Sequence, residues 1–92
     1  MSEAKPGGWG NFQNPVTPEA MQVFNAVHNP GIVYVPFAYA TQIVAGTNYC
    51  FLCTSQSGPT STQGAAKVYI YAPLPGQGNP EFENVVEISP AP

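Results

Sequence analysis

Two periods of hydrophobic spacing divide the chain. Between Thr17 and Gly31, apolar residues fall at Ala20, Val23, Phe24 and Val27, the i, i+3, i+4, i+7 spacing that lines one side of a helix. The flanks agree with that reading. Thr17 offers a hydroxyl for an N-cap, Pro18 suits the first helical position, Glu19 places negative charge near the positive end of the helix, and Asn29-Pro30-Gly31 supplies a stop. From Ile32 the period drops to two. Val33, Val35, Phe37, Tyr39, Thr41 and Ile43 alternate with Ile32, Tyr34, Pro36, Ala38, Ala40 and Gln42. The bulkier set is expected to face the helix, and Pro36, with no N–H to give a ladder, marks an edge or a bulge.

Further strands are expected at Thr47 to Thr54, near Ala66 to Ala72, and over "EFENVVEI", where Phe82, Val86 and Ile88 alternate with Glu81, Glu83 and Glu87. The polar loop "SQSGPTSTQG" and the loop "PLPGQGNP" separate them, and no internal repeat is present. Residues 1–16 carry Pro6, Gly7, Gly8, Gly10 and Pro15, with Trp9 and Phe12 as their large aromatic groups, and are expected to form a mobile or extended arm. The order is arm, helix, then antiparallel meander. This predicts a single α+β domain over residues 1–92, one α-helix packed on a four- to five-stranded antiparallel sheet. Phe24 and its stripe are expected to meet residues drawn from Val33, Val35, Phe37, Val68, Ile70 and Val86.

Composition narrows the chemistry. A chain of 92 residues supports one modest core, burying roughly 60 to 65% of the surface exposed when unfolded. It has two Lys, no Arg, no Asp, five Glu and one His, for a net charge of -3. Neutralising nucleic-acid phosphates takes a basic stripe, and only Lys5 and Lys67 are available, so no nucleic-acid partner is expected. The same shortage removes carboxylate-rich Mg²⁺ or Ca²⁺ sites and guanidinium clamps for phosphate, and no catalytic activity or cofactor is expected. No run approaches the roughly 20 apolar residues that span a bilayer, and "MSEAKPGGWG" lacks the apolar region of a signal peptide. A cytoplasmic, membrane-free protein is expected, although a leader removed beforehand would leave the same sequence.

Cys50 and Cys53 lie in "YCFLCT", which reads as strand. Positions three apart on a strand point to opposite faces about 10 Å apart, beyond the roughly 7 Å that a disulfide spans between Cα atoms. A redox pair would draw on a helix N-terminus, and a structural zinc site needs about four ligands, where His28 brings the candidates only to three. Buried, inert thiols are expected. His28, at the end of the predicted helix, is read as a group that caps free carbonyls, with a Cys-His nucleophile pair as the alternative.

The Ala45-Gly46 step interrupts an otherwise continuous strand. Gly46 can take φ > 0 without strain, so Gln42-Ile43-Val44-Ala45-Gly46 is expected to be a hairpin tip, a feature that any small sheet protein needs. The residues around it resemble the cystatins, specifically the intracellular stefin type, whose first hairpin reads Gln-x-Val-x-Gly followed by Thr-Asn-Tyr. Gln42, Val44, Gly46, Thr47, Asn48 and Tyr49 match it. A glycine in the arm (Gly7 or Gly8) and a second hairpin with Leu74-Pro75 follow the same order, so the resemblance covers almost the whole chain. The sequence departs from the family in its short helix, the missing disulfide pattern of the extracellular members, the "CFLC" strand and the scarcity of charge. These bear on target and potency more than on fold.

The resemblance implies a reversible, tight-binding inhibitor of papain-like (cathepsin-type) cysteine proteases. In the family, the arm and both hairpin tips form a wedge that fills the protease's active-site cleft. Carried over, the protease-binding residues are Gly7, Gly8, Gln42, Ile43, Val44, Ala45, Gly46, Leu74 and Pro75. The residue types have physical reasons of their own. Apolar tips suit a cleft made for extended substrate, small residues let backbone approach its wall, and a glycine in the arm lets the chain bend away from the nucleophile. A monomer is expected, with exchange of the hinge hairpin into a dimer as the alternative. Two other functions compete with inhibition: a non-inhibitory cystatin-like scaffold, and an enzyme or metal-thiolate protein built on Cys50, Cys53 and His28.

Overall fold

The computed structural model describes residues 8–27, 33–56 and 63–88. Helix α1 spans Pro18–Asn25, and four strands follow: β1 Val33–Val44, β2 Gly46–Gln56, β3 Gln63–Ala72 and β4 Glu81–Ile88. The strands pair antiparallel in sequence order, β1-β2-β3-β4. The class is therefore α+β, a short helix on a four-stranded antiparallel sheet.

The helix begins as its sequence dictates. The Thr17 hydroxyl accepts from the Ala20 N–H at 3.2 Å, and Pro18 occupies the first turn. The helix runs only 8 residues and ends at Ala26, earlier than the predicted stop at Asn29-Pro30-Gly31, which lies outside the described residues together with His28. A helix this short is not stable alone, so its packing must hold it. Ala20 is buried, Val23, Phe24 and Val27 are half-buried, and the Phe24 ring meets Phe51 edge-on at 5.1 Å.

That contact leads into the core. Direct neighbours across an antiparallel pair share a face. Tyr39 opposes Phe51, which opposes Val68, and Tyr49 opposes Ile70. Tyr49 and Phe51 stack with centroids 5.5 Å apart and an interplanar angle of 6°, while Phe51, Cys53, Val68 and Ile70 are buried.

Two irregularities overturn the expected face assignments. In β1 the register slips between Pro36 and Ala38, leaving Phe37 unpaired. A bulge of one residue reverses the side chains on one side of it. Tyr34 and Pro36 therefore oppose Ser55 and Cys53 on the helix side, and Val33, Val35 and Phe37 are exposed. Tyr39, Thr41 and Ile43, beyond the bulge, keep the predicted side. In β4 the register slips between the partners of Tyr69 and Ile70, passing over Glu83. Phe82 and Val85 then lie beside Ile70 and Val68, whereas Val86 and Ile88 oppose Lys67 and Ala65 on the far side. Of the predicted contacts for the helix stripe, Val68 and Ile70 stand in the core and Val33, Val35, Phe37 and Val86 do not. Both bulges together place Tyr34 and Glu87 on one face, where the Tyr34 hydroxyl donates to the Glu87 carboxylate at 3.4 Å.

These positions separate by mutation. Phe51→Ala should cost about 3–5 kcal/mol and Phe24→Ala, half-buried, about 2–3 kcal/mol, whereas Val35→Thr on the far face should stay within about 0.5 kcal/mol. Urea unfolding checks all three. A loss at Val35 equal to that at Phe24 would contradict the bulge.

Candidate functional site

The arm is attached to the sheet. Trp9 bridges Gln42 and Gln13 bridges Tyr39, both antiparallel, so the arm lies along the outer edge of β1. The Gly10 N–H donates to the Thr41 carbonyl at 3.0 Å, and Gln13 and Tyr39 exchange bonds of 2.8 and 3.0 Å. Between mobile and extended, residues 9–13 are extended, forming a short fifth segment beside the four strands. Because the arm runs antiparallel to β1, Gly8 lies on the side of Trp9 toward the end of β1. Gly7 lies outside the described residues.

The first tip stands at that same end. Val44 pairs with Gly46, leaving Ala45 at the apex, and Gly46 takes φ 109, the left-handed region that its lack of a side chain permits. Across the hairpin, the Asn48 amide donates to Gln42 Oε1 at 2.8 Å, fixing one leg to the other. Ile43 and Val44 are 48% and 41% exposed, so the tip presents apolar surface to water.

The second tip joins β3 to β4. Gln77 N–H closes a turn onto the Leu74 carbonyl at 2.9 Å, and Gly76 and Gly78 both take positive φ. Leu74 is 51% exposed and Pro75 is exposed as well. The two tips touch. The Tyr71 hydroxyl donates to the Ala45 carbonyl, and a Cβ at Gly46 would sit 2.6 Å from the Ala72 carbonyl oxygen and 3.1 Å from Pro73 Cα.

This contact adds a reason for Gly46. Beside the expectation that its bareness suits a partner's approach, Gly46 is buried against the second hairpin, and its missing side chain makes room for the chain's own backbone. Tyr71 is the residue that sequence reasoning passed over. Its only signal was a tyrosine at the end of a strand, and the register that sets it opposite Asn48, beside the first tip, is not readable without the structure.

Gly8, Gln42 to Gly46, and Leu74-Pro75 thus gather at one end of the sheet. Neither tip, residues 42–46 or 73–80, carries a charged side chain. Such a surface binds by shape, apolar burial and backbone hydrogen bonds rather than by charge.

The thiols are elsewhere. Cys53 faces the core, fully buried, and donates weakly to the Phe51 carbonyl at 3.7 Å; burial pushes its thiol up to about 12. Cys50 points to the opposite face, where burial raises its thiol too, against the lowering effect of a hydrogen bond with Tyr69. Both are free, and no group of three His, Cys, Asp or Glu that could hold a metal exists among the described residues. No helix among the described residues is long and apolar enough to cross a membrane.

Comparison with known proteins gives no match for this chain, either to a family model, to a curated protein or to a solved structure.

Two expectations follow. Gly46→Ala should destabilise by about 1–3 kcal/mol, since strain at positive φ adds to the clash with Ala72, while Tyr71→Phe should remove one hydrogen bond, about 1 kcal/mol, and speed amide exchange at the tip. Cys53 gives a pH signature. Its folded value lies above the unfolded value near 8.5, so the contribution is intact below about pH 8 and is lost as pH rises toward 12. Tyr34, Tyr49 and Tyr69, also raised, add to the loss above about pH 10. Urea titrations should show Cys53→Ala losing less stability than the wild type between about pH 8.5 and 10, and an equal loss would contradict the burial of the thiol.

Proposed function

We propose that this protein is a reversible inhibitor of papain-like cysteine proteases with a cystatin-like fold, acting by binding and without catalysis. The observation that carries the reading is the convergence of three segments at one end of the sheet: the Gly8 end of the arm, the Gln42-Ile43-Val44-Ala45-Gly46 tip and the Leu74-Pro75 tip. The sequence similarity to stefins rests on the same segments, quoted above. Exposed Ile43, Val44 and Leu74 give an uncharged, apolar rim suited to a cleft that holds extended peptide. Bonds from Tyr71 and Asn48 hold the first tip in place, so little order remains to be imposed on binding. In this reading the chain acts as a monomer, and the protease is its partner.

The test is inhibition of papain by the folded protein. A dissociation constant of about 1 µM or below is expected, with weak dependence on salt because neither tip is charged. Leu74→Ala should weaken binding by about 1–2 kcal/mol, and removal of residues 1–8 should speed dissociation while leaving thermal stability nearly unchanged. Folded protein that leaves papain and related proteases uninhibited at about 10 µM would replace this reading with a non-inhibitory scaffold.

A further inference from the structure

The face of the sheet away from the helix holds a trough that the fold itself leaves open. Register sets Ala40, Cys50 and Tyr69 side by side across β1, β2 and β3. Ala40 and Cys50 are small and buried, so the surface is low over the first two strands and rises at Tyr69. Trp9, arriving from the arm, crosses that low ground, and its ring meets Tyr69 edge-on at 5.9 Å. A cavity of about 220 Å³ remains, open to solvent, with Gly10, Phe12 and Lys67 completing its lining.

Size, walls and charge together define what it accepts. An apolar cavity of about 150 Å³ holds one benzene molecule, so this volume suits a single ring with a short substituent. Trp9, Phe12 and Tyr69 supply aromatic surface for such a ring. Lys67 supplies the charge. Its neighbours across the sheet are Leu52 and Val86, and among the described residues it is the one cationic side chain and has no ion pair. No ion pair joins it to a glutamate of β4: Glu87 opposes Ala66 on the helix side, Glu81 opposes Tyr71, four positions along β3, and Glu83 falls at the bulge beyond Tyr69. A half-buried lysine that lines the cavity between apolar neighbours and has no ion pair favours an incoming anion.

We propose that this trough binds a small aromatic carboxylate, its ring against the lining formed by Trp9, Phe12, Tyr69 and Cys50 and its carboxylate paired with the Lys67 ammonium. The site is independent of the hairpin tips and needs no protease. Two of its walls belong to the arm, so an occupant also fastens the arm to the sheet.

The chain contains one tryptophan, so Trp9 fluorescence reports the site directly. Phenylacetate is the probe, with phenylacetamide as a ring without charge and acetate as a charge without ring. Saturable binding of phenylacetate is expected with a Kd on the order of 1 mM or below, the range open to a ligand of about ten atoms, and at least about tenfold weaker binding of the other two. Raising salt from about 20 to 500 mM should weaken phenylacetate binding and leave phenylacetamide unchanged. Bound phenylacetate should also slow amide exchange at Gly10 and Gln13. Lys67→Met should abolish the preference for the acid over the amide, and Cys50→Leu, which fills the floor, should abolish both. Should either variant fail to fold, the comparison of the three probes on the wild type decides alone. No saturable change up to about 10 mM phenylacetate, or equal binding of the amide, would overturn the proposal.

Discussion

Everything in this structure hangs on the burial of Phe51. It sits on β2, an inner strand, with Tyr39 and Val68 as direct neighbours, Tyr49 stacked beside it and Phe24 set edge-on from the helix. An eight-residue helix cannot cover a sheet whose first two strands run 12 and 11 residues, so it covers one spot, and Phe51 is that spot. Aromatic side chains suit the task because each buries a large area at low entropy, and edge-to-face and offset arrangements add to what area alone supplies. The helix, marginal by length, forms because Ala20, Val23 and Phe24 find this row. The row in turn keeps one orientation because the helix lies on it.

The small cover has a consequence at both ends of the sheet. Away from the tips, Tyr34 and Glu87 bridge the helix-side face from the first strand to the last. Toward the tips, β1 and β2 extend as a tight hairpin that needs its own fastening. Asn48 to Gln42 joins its legs, and Tyr71 to Ala45 joins it to the neighbouring hairpin. The apolar tips are therefore carried on rigid elements although they lie far from the core, which is the condition a binding surface needs in order to keep its shape in water.

Much of this was legible in the sequence, and the failures have one cause. The N-cap at Thr17, the stripe on the helix, the four strands and the positive φ at Gly46 were all read from local signals, because each depends on one residue's own backbone preferences or on a short period. Which face each half of β1 and β4 presents was not legible. A bulge is a single uncounted residue, and Phe37 and Glu83 look like any other member of an alternating run. Pro36 marked the place in β1 without revealing that Val33 and Val35 would turn outward. At the site, the tips and the arm could be named from their residues, whereas Tyr71 could not, since its role follows from pairing between strands rather than from anything adjacent in the chain. Gly46 was chosen for its backbone freedom, while its crowding by Ala72 and Pro73 follows from the pairing of strands and was not legible.

The bulges also explain why the two faces of so small a sheet differ in character. Had β1 kept its alternation unbroken, Val33, Val35 and Phe37 would have joined Tyr39 beneath the helix, and the far face would have carried Tyr34 and Pro36 in their place. The slip at Phe37 instead sends apolar side chains outward near Leu52, Val86 and Ile88, on the face where Lys67 stands without an ion pair. The arm shelters only part of that face, by laying Trp9 over the small residues Ala40 and Cys50. Core stability therefore depends on the helix side, while the tips and the far side are left with apolar groups in water that the fold does not use. Surfaces of that kind are where binding free energy is available, and among the described residues they include the hairpin end and the far face beside the arm.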